Sequence, residues 1–132
     1  MATRRPALSE AALQELLAPL LDDLDGGREP DPAVLRTGVR ELAILLADKY
    51  PGKTVEVRIP PYIAVQCLAG PRHTRGTPPN VVEADGVAFV QLCTGRETWA
   101  TLTRSGRIRA SGERSDLSGL LPLRRDRDAE GG

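Results

Sequence analysis

At Tyr50-Pro51-Gly52 the spacing of apolar residues changes from a period near 3.6 to a period of 2. Upstream, Leu35, Val39, Leu42 and Leu46 form one helical stripe, widened by Ala43 and Leu45. Asp31-Pro32 supplies an N-cap followed by a proline suited to the first helical position. Arg36, Arg40, Glu41 and Asp48 fall on the remaining, polar surface of that helix. Downstream, Val55, Val57 and Ile59 alternate with Glu56 and Arg58, the pattern of a half-buried strand. Pro60-Pro61 cannot stay inside a central ladder, so the chain turns there. A second strand spans 62–68, with Ile63, Val65 and Cys67 on one side. One stretch of chain therefore carries a long helix and a hairpin with a buried side, and the fold must place one on the other.

The flanking segments extend this pattern. Ser9 is a plausible N-cap for an earlier helix with Leu13, Leu16, Leu17, Leu20, Leu21 and Leu24 on one face. Pro19 predicts a kink or a restart within it, and Gly26-Gly27 closes it. After a Gly- and Pro-rich loop at 70–79, residues 80–83 are short and extended. Asp85 then caps a helix carrying Val87, Phe89, Val90, Leu92 and Cys93, ended by Gly95. Thr98 caps a shorter helix with Trp99 and Leu102, ended by Gly106. Residues 107–111 alternate again, and Ser115 opens a last helical turn or two with Leu117, Leu120 and Leu121, closed by Pro122. Residues 1–7 and the charged tail 124–132 lack apolar anchors and read as disordered. Helices and strands in separate runs with short turns indicate an α+β fold, not a doubly wound one. The expected division is one domain over 8–123, made of a 32–123 core and an extra N-terminal helix at 8–25.

Composition narrows the function classes. The 132 residues suffice for one domain, which can bury roughly two-thirds of its unfolded surface. Basic and acidic residues balance at 18 each, which argues against a sequence-blind nucleic-acid binder. Cys67 and Cys93 do not make a disulfide framework and are expected reduced and buried. With His73 as the one histidine and no CxxC or HExxH, no metal or other cofactor is expected. No segment resembles a signal peptide or a membrane span, so the expectation is a cytoplasmic protein without integral membrane association.

Two blocks carry a family resemblance. The first is Val55-Glu56-Val57-Arg58-Ile59-Pro60-Pro61-Tyr62-Ile63-Ala64-Val65-Gln66-Cys67, followed by Gly70-Pro71-Arg72-His73-Thr74-Arg75-Gly76-Thr77-Pro78-Pro79-Asn80. The second comprises Leu92-Cys93-Thr94-Gly95, the segment from Trp99 through Ser105-Gly106, and Leu117-Ser118-Gly119-Leu120-Leu121. Together they resemble the bacterial, actinobacterial-type branch of the sterol-carrier-protein-like family. The resemblance implies a five-stranded, mostly antiparallel sheet covered by helices on one face, although only four strands can be assigned from pattern. In lipid-binding members it implies an apolar tunnel between sheet and helices, with the C-terminal helix in its wall.

The candidate ligand-binding set is Ile63, Val65, Val87, Phe89, Leu92, Trp99, Leu102, Leu117, Leu120 and Leu121. Each buried lipid methylene contributes roughly 0.8 kcal/mol, so about ten would give ~8 kcal/mol before ordering costs. A filled core has the same sequence signature as a tunnel, and Trp99 reads as a core plug in preference to a ligand contact. Arg72, His73 and Arg75 place two fixed charges and a titratable ring within four residues, a candidate site for the anionic or polar head of a ligand. The same arginines could instead pair with Glu83, Asp85 or other carboxylates. His73 with Cys67 or Cys93 could act in catalysis only if the fold joined them, and no catalytic residue is assigned.

The expected function is a non-enzymatic carrier of a lipid-like or other apolar small molecule. The alternative is an interaction or scaffold domain whose pocket is closed and whose N-terminal helix makes a homodimer. A remoter reading is an accessory domain of thiol- or acyl-related metabolism.

Overall fold

Ser9 starts the first helix: the Ala12 N–H donates to its Oγ at 3.1 Å. The helix, α1, spans Glu10–Asp25 and runs without a break through Pro19. The expected restart does not occur, and Pro19 and Glu15 both lie on the exposed side. There the carbonyl that Pro19 leaves unpaired faces water. The opposite face buries Leu13, Leu17 and Leu20. A computed structural model of the protein describes residues 5–70 and 80–123. The expected disorder of 124–132 and the candidate triad Arg72, His73 and Arg75 therefore lie outside the described residues.

Helix α2 spans Pro32–Lys49, capped by the Asp31 carboxylate with Pro32 in its first turn. It meets α1 at Gly38, where an added Cβ would stand 2.6 Å from Leu20 Cδ2 and 3.3 Å from Leu17 Cδ2. The missing side chain is what lets the α1 leucines seat on α2. Of the leucine face expected to serve a dimer, Leu13, Leu17 and Leu20 are buried within the chain, while Leu16, Leu21 and Leu24 are half-buried. The other side of α2 packs on the sheet, and Arg40 donates to the Tyr62 carbonyl at 2.8 Å.

Four strands make one sheet: β1 Val55–Ile59, β2 Ile63–Cys67, β3 Asn80–Ala84 and β4 Ile108–Ser111. Their order is β2-β1-β3-β4. β1 pairs antiparallel with β2 and parallel with β3, and β3 pairs antiparallel with β4. The sheet is mixed, with two antiparallel ladders and one parallel one. Among the described residues it has the four strands legible from alternation, one fewer than the resemblance implies. The turn at Pro60-Pro61 closes with the Tyr62 N–H donating to the Ile59 carbonyl at 2.8 Å.

Register sorts the faces. Val55, Val57 and Ile59 stand opposite Cys67, Val65 and Ile63, and Val57 also stands opposite Val82. This face is covered by helices. Arg58 faces Glu83 across the parallel ladder, and Glu83 faces Arg109 across the next, on the opposite, polar face. Ion pairs at 3.3 Å (Arg58–Glu56) and 3.5 Å (Arg109–Glu83) lie there.

Two short helices complete the covering layer. α3 spans Gly86–Cys93 and α4 spans Trp99–Arg104. The Ala88 N–H donates to Asp85 at 2.6 Å and the Thr101 N–H to Thr98 at 3.1 Å, so both expected caps are present. The C-terminal segment forms only a 3-10 turn at Ser118–Leu120, shorter than the expected helix from Ser115. Ser115 is held in a turn by the Gly112 carbonyl (Oγ at 2.8 Å), and Gly119 and Pro122 oppose helix propagation.

The core is closed where sheet and α2 meet. Leu17, Leu20, Val39, Leu42, Leu46, Ile59, Cys67, Val90 and Cys93 have 0% exposure. Such residues touch no void that a water-sized sphere can enter, internal or external. The tunnel expected between sheet and helices does not run past them. Glu41, read from sequence as a surface residue, is also buried at 7% exposure.

Candidate functional site

The helix end at Gly95 builds one wall of a concavity. Gly95 adopts φ +79° after the last turn of α3, a conformation in which glycine has no Cβ penalty. The Arg96 N–H donates to the Gln91 carbonyl at 2.8 Å, turning the chain toward α4. The Leu123 N–H donates to the Cys93 carbonyl at 2.9 Å and pins the C-terminal segment to the end of α3. Between these pieces lies a cleft of about 850 Å³ that opens to solvent. Leu92 and Trp99 contribute apolar walls from α3 and α4, and Leu121 and Pro122 from the C-terminal segment. Thr94, Arg96, Glu97, Thr98 and Ser118 supply polar groups, and Gly95 and Ala100 complete the lining.

Several of these polar groups already have partners. Thr94 Oγ1 donates to the Val90 carbonyl at 2.8 Å, and Thr98 caps α4. Arg96 makes a two-pronged pair with Asp25, Nε to Oδ1 at 2.7 Å and a terminal nitrogen to Oδ2 at 2.9 Å. The hydrogen bond from Arg96 holds the Asp25 carboxyl below the usual carboxylate range.

The ten apolar candidates divide into three groups. Leu92, Trp99 and Leu121 line the cleft. Trp99 is half-buried in its wall, not a fully enclosed plug. Phe89, Leu102 and Leu117 lie in the core at 2%, 1% and 2% exposure, so they fill space instead of lining the cleft. Ile63 and Val65 are half-buried on edge strand β2, while Val87 and Leu120 are half-buried outside the cleft lining. Pattern reading missed Thr94, Gly95, Arg96, Glu97, Thr98, Ala100, Ser118 and Pro122. For Thr94, Gly95, Arg96, Glu97 and Thr98 the one local signal is position, a five-residue link between two helix signals where loops commonly carry function; Ala100, Ser118 and Pro122 carry none.

Other chemistry is occupied or suppressed. Burial pushes both the Cys67 and the Cys93 thiol up, which keeps them protonated at neutral pH and poor nucleophiles. Both are free and buried. Asp85 is a helix cap and also accepts from Arg107 Nε at 3.0 Å. A second groove of about 290 Å³ holds Glu83, Asp85, Arg107 and Arg109, whose charges pair with one another. Among the described residues no group of three or more His, Cys, Asp or Glu could hold a metal ion, and no helix is long and apolar enough to cross a membrane.

An α+β layer pair with a cleft at one end of its helices defines the structural class. Residues 31–123, more than two-thirds of the chain, match the family described as the bacterial SCP ortholog, and the chain belongs to this sterol-carrier-protein family. Helix α1 lies outside the matched segment. No curated protein sequence matches the chain.

Proposed function

We propose that the protein is a non-enzymatic carrier that holds a lipid-like or other apolar small molecule in the cleft between α3, α4 and the C-terminal segment. The observation that carries this reading is the cleft itself. Its volume falls within the ~300–1,000 Å³ of small-molecule sites, and its apolar walls come from three separate elements. Family membership adds support, since carriage of apolar ligands is what the sterol-carrier resemblance implies.

The physics needs no reacting group. Each methylene moved from water onto Leu92, Trp99, Leu121 and Pro122 contributes roughly 0.8 kcal/mol, less whatever part of the guest stays in the open mouth. The buried, protonated thiols offer no nucleophile, which favours binding over chemistry.

Native mass spectrometry of the purified protein, with solvent extraction of what it carries, tests the proposal. The expected result is a bound apolar species, or 1:1 uptake of a medium-chain alcohol or acid from an offered panel. A protein that carries nothing and takes up no member of a fatty-acyl, long-chain-alcohol and sterol panel contradicts it.

A further inference from the structure

Trp99 opens α4 one turn ahead of Leu102, so the two share a helix face. Leu102 is buried, whereas Trp99 stays half-buried. The indole packs against the core on one side, and Trp99 lines the cleft. A true core plug would hand its N–H to a carbonyl. Among the described residues the Trp99 indole N–H has no hydrogen-bond partner, and it is not shut away from water. Nor does the ring meet another aromatic ring or a cation: the one such contact among the described residues is Lys49 on Tyr50. Neither the polar edge nor the π-system of the indole is thus spent on the fold. The open part of the ring belongs to the surface, and the concavity it borders is the cleft.

The remaining wall narrows the choice of guest. Leu92 is buried at 5% exposure, so it shows the cleft little surface. Most of the apolar wall is left to Trp99, Leu121 and Pro122. Pro122 is itself a ring, seated 3.6 Å from where a Gly95 Cβ would stand. Among the described residues Trp99 is the one aromatic side chain of the lining, and it is the chain's single tryptophan. A flexible hydrocarbon chain gains from each of these groups in proportion to the area it covers. A flat π-system gains more than area from one of them, because paired aromatic rings attract through their quadrupoles.

We propose that Trp99 is a specificity-determining residue: its indole makes the cleft prefer guests that carry a flat aromatic ring system over open-chain guests of similar hydrophobicity. This rests on the carrier reading above and names the chemical class of its ligand. Open-chain guests still bind on the same wall, held by buried area alone. The preference needs no charge on the guest and no reacting group in the protein.

The test compares 2-naphthol with 1-octanol by isothermal titration at pH 7 on the full chain. Each carries one hydroxyl, and oil extracts the two from water about equally. Trp99→Leu keeps an apolar side chain at the position and removes the aromatic ring. It is expected to lower the naphthol-to-octanol affinity ratio about fivefold, the size of one ring pair. Trp99→Phe is expected to restore most of the ratio. Leu121→Ala, on the same wall, is expected to weaken both guests together and leave the ratio alone. Proton NMR of wild type gives a reading that needs no variant: bound naphthol should move the ring protons of the single tryptophan upfield, and bound octanol should not. An unchanged ratio in Trp99→Leu, or ring protons that stay in place while naphthol saturates the protein, overturns the specificity role while leaving the carrier reading intact. Binding of neither ligand by wild type contradicts the carrier reading and this inference with it.

Discussion

The Glu41 carboxylate, buried in the middle of α2, is held by the guanidinium of Arg5, which lies 36 residues earlier in the chain. Arg5 donates through both terminal nitrogens, one of them at 3.0 Å to Oε1. The N-terminal arm is thus tied to the helix that carries the core. A charge with so little water around it depends on its partner. Arg5→Ala is expected to lower the thermal midpoint, and Glu41→Gln is expected to reduce the effect of losing Arg5. A double-mutant cycle read by urea unfolding checks this: the two single losses should exceed that of the double variant when summed. Strict additivity would show that the pair is not coupled.

The Asp25–Arg96 bridge makes stability depend on pH. The folded-state pKa of Asp25 lies below its unfolded value because Arg96 donates to the ionised form. Its contribution is therefore fully present above the ordinary carboxylate range and fades as pH falls through the folded pKa. The stability advantage of wild type over Asp25→Asn should be measurable at pH 7 and vanish under strong acid. High salt should shrink it as well, since the aspartate is exposed. Equilibrium unfolding of both proteins across pH and salt reads the difference directly. An advantage that grows on acidification would reverse the predicted sign.

Gly52 faces the backbone of Leu68 where the chain leaves α2 for β1. Its φ of +149° suits glycine, and an added Cβ would overlap the Leu68 carbonyl. That carbonyl also accepts from the Thr54 N–H at 3.1 Å, so it has little room to move. Gly52→Ala is expected to destabilise by about 1–3 kcal/mol. A chemical-denaturation midpoint equal to that of wild type would contradict this.

Both thiols should be silent in the native state. Cys67 and Cys93 have 0% exposure, and burial raises the pKa of each. Labelling by a thiol reagent at pH 8 should therefore follow the rate of opening and quicken in denaturant. Prompt labelling of either cysteine in buffer would show that its packing is looser than described.

How far the sequence can be read varies by residue. The stripe Leu35, Val39, Leu42 and Leu46 and the alternation Val55, Val57 and Ile59 are local periodicities, so α2 and β1 are legible directly. The caps Ser9, Asp31, Asp85 and Thr98 act within three residues of themselves and are equally plain. Ligand lining is not a local property. Leu102 and Leu117 carry the same apolar pattern as Leu92 and Leu121, and only the tertiary path of the C-terminal segment decides which pair meets the cleft. Glu41 escapes for a related reason: its partner comes from an arm that shares no period with α2. Arg96 and Asp25 are joined across 71 residues, beyond any motif.

The cleft as a binding site is tested most directly by titrating a medium-chain alcohol into wild type and into Leu121→Glu. Residue 121 is half-buried in the cleft wall, on the C-terminal segment that Leu123 anchors to Cys93. A charge there should spoil the apolar wall while circular dichroism and the unfolding midpoint report an intact fold. The account predicts saturable 1:1 binding by wild type and at least a tenfold loss, about 1.4 kcal/mol, in the folded variant. Equal binding by both proteins would place the guest elsewhere and contradict the account.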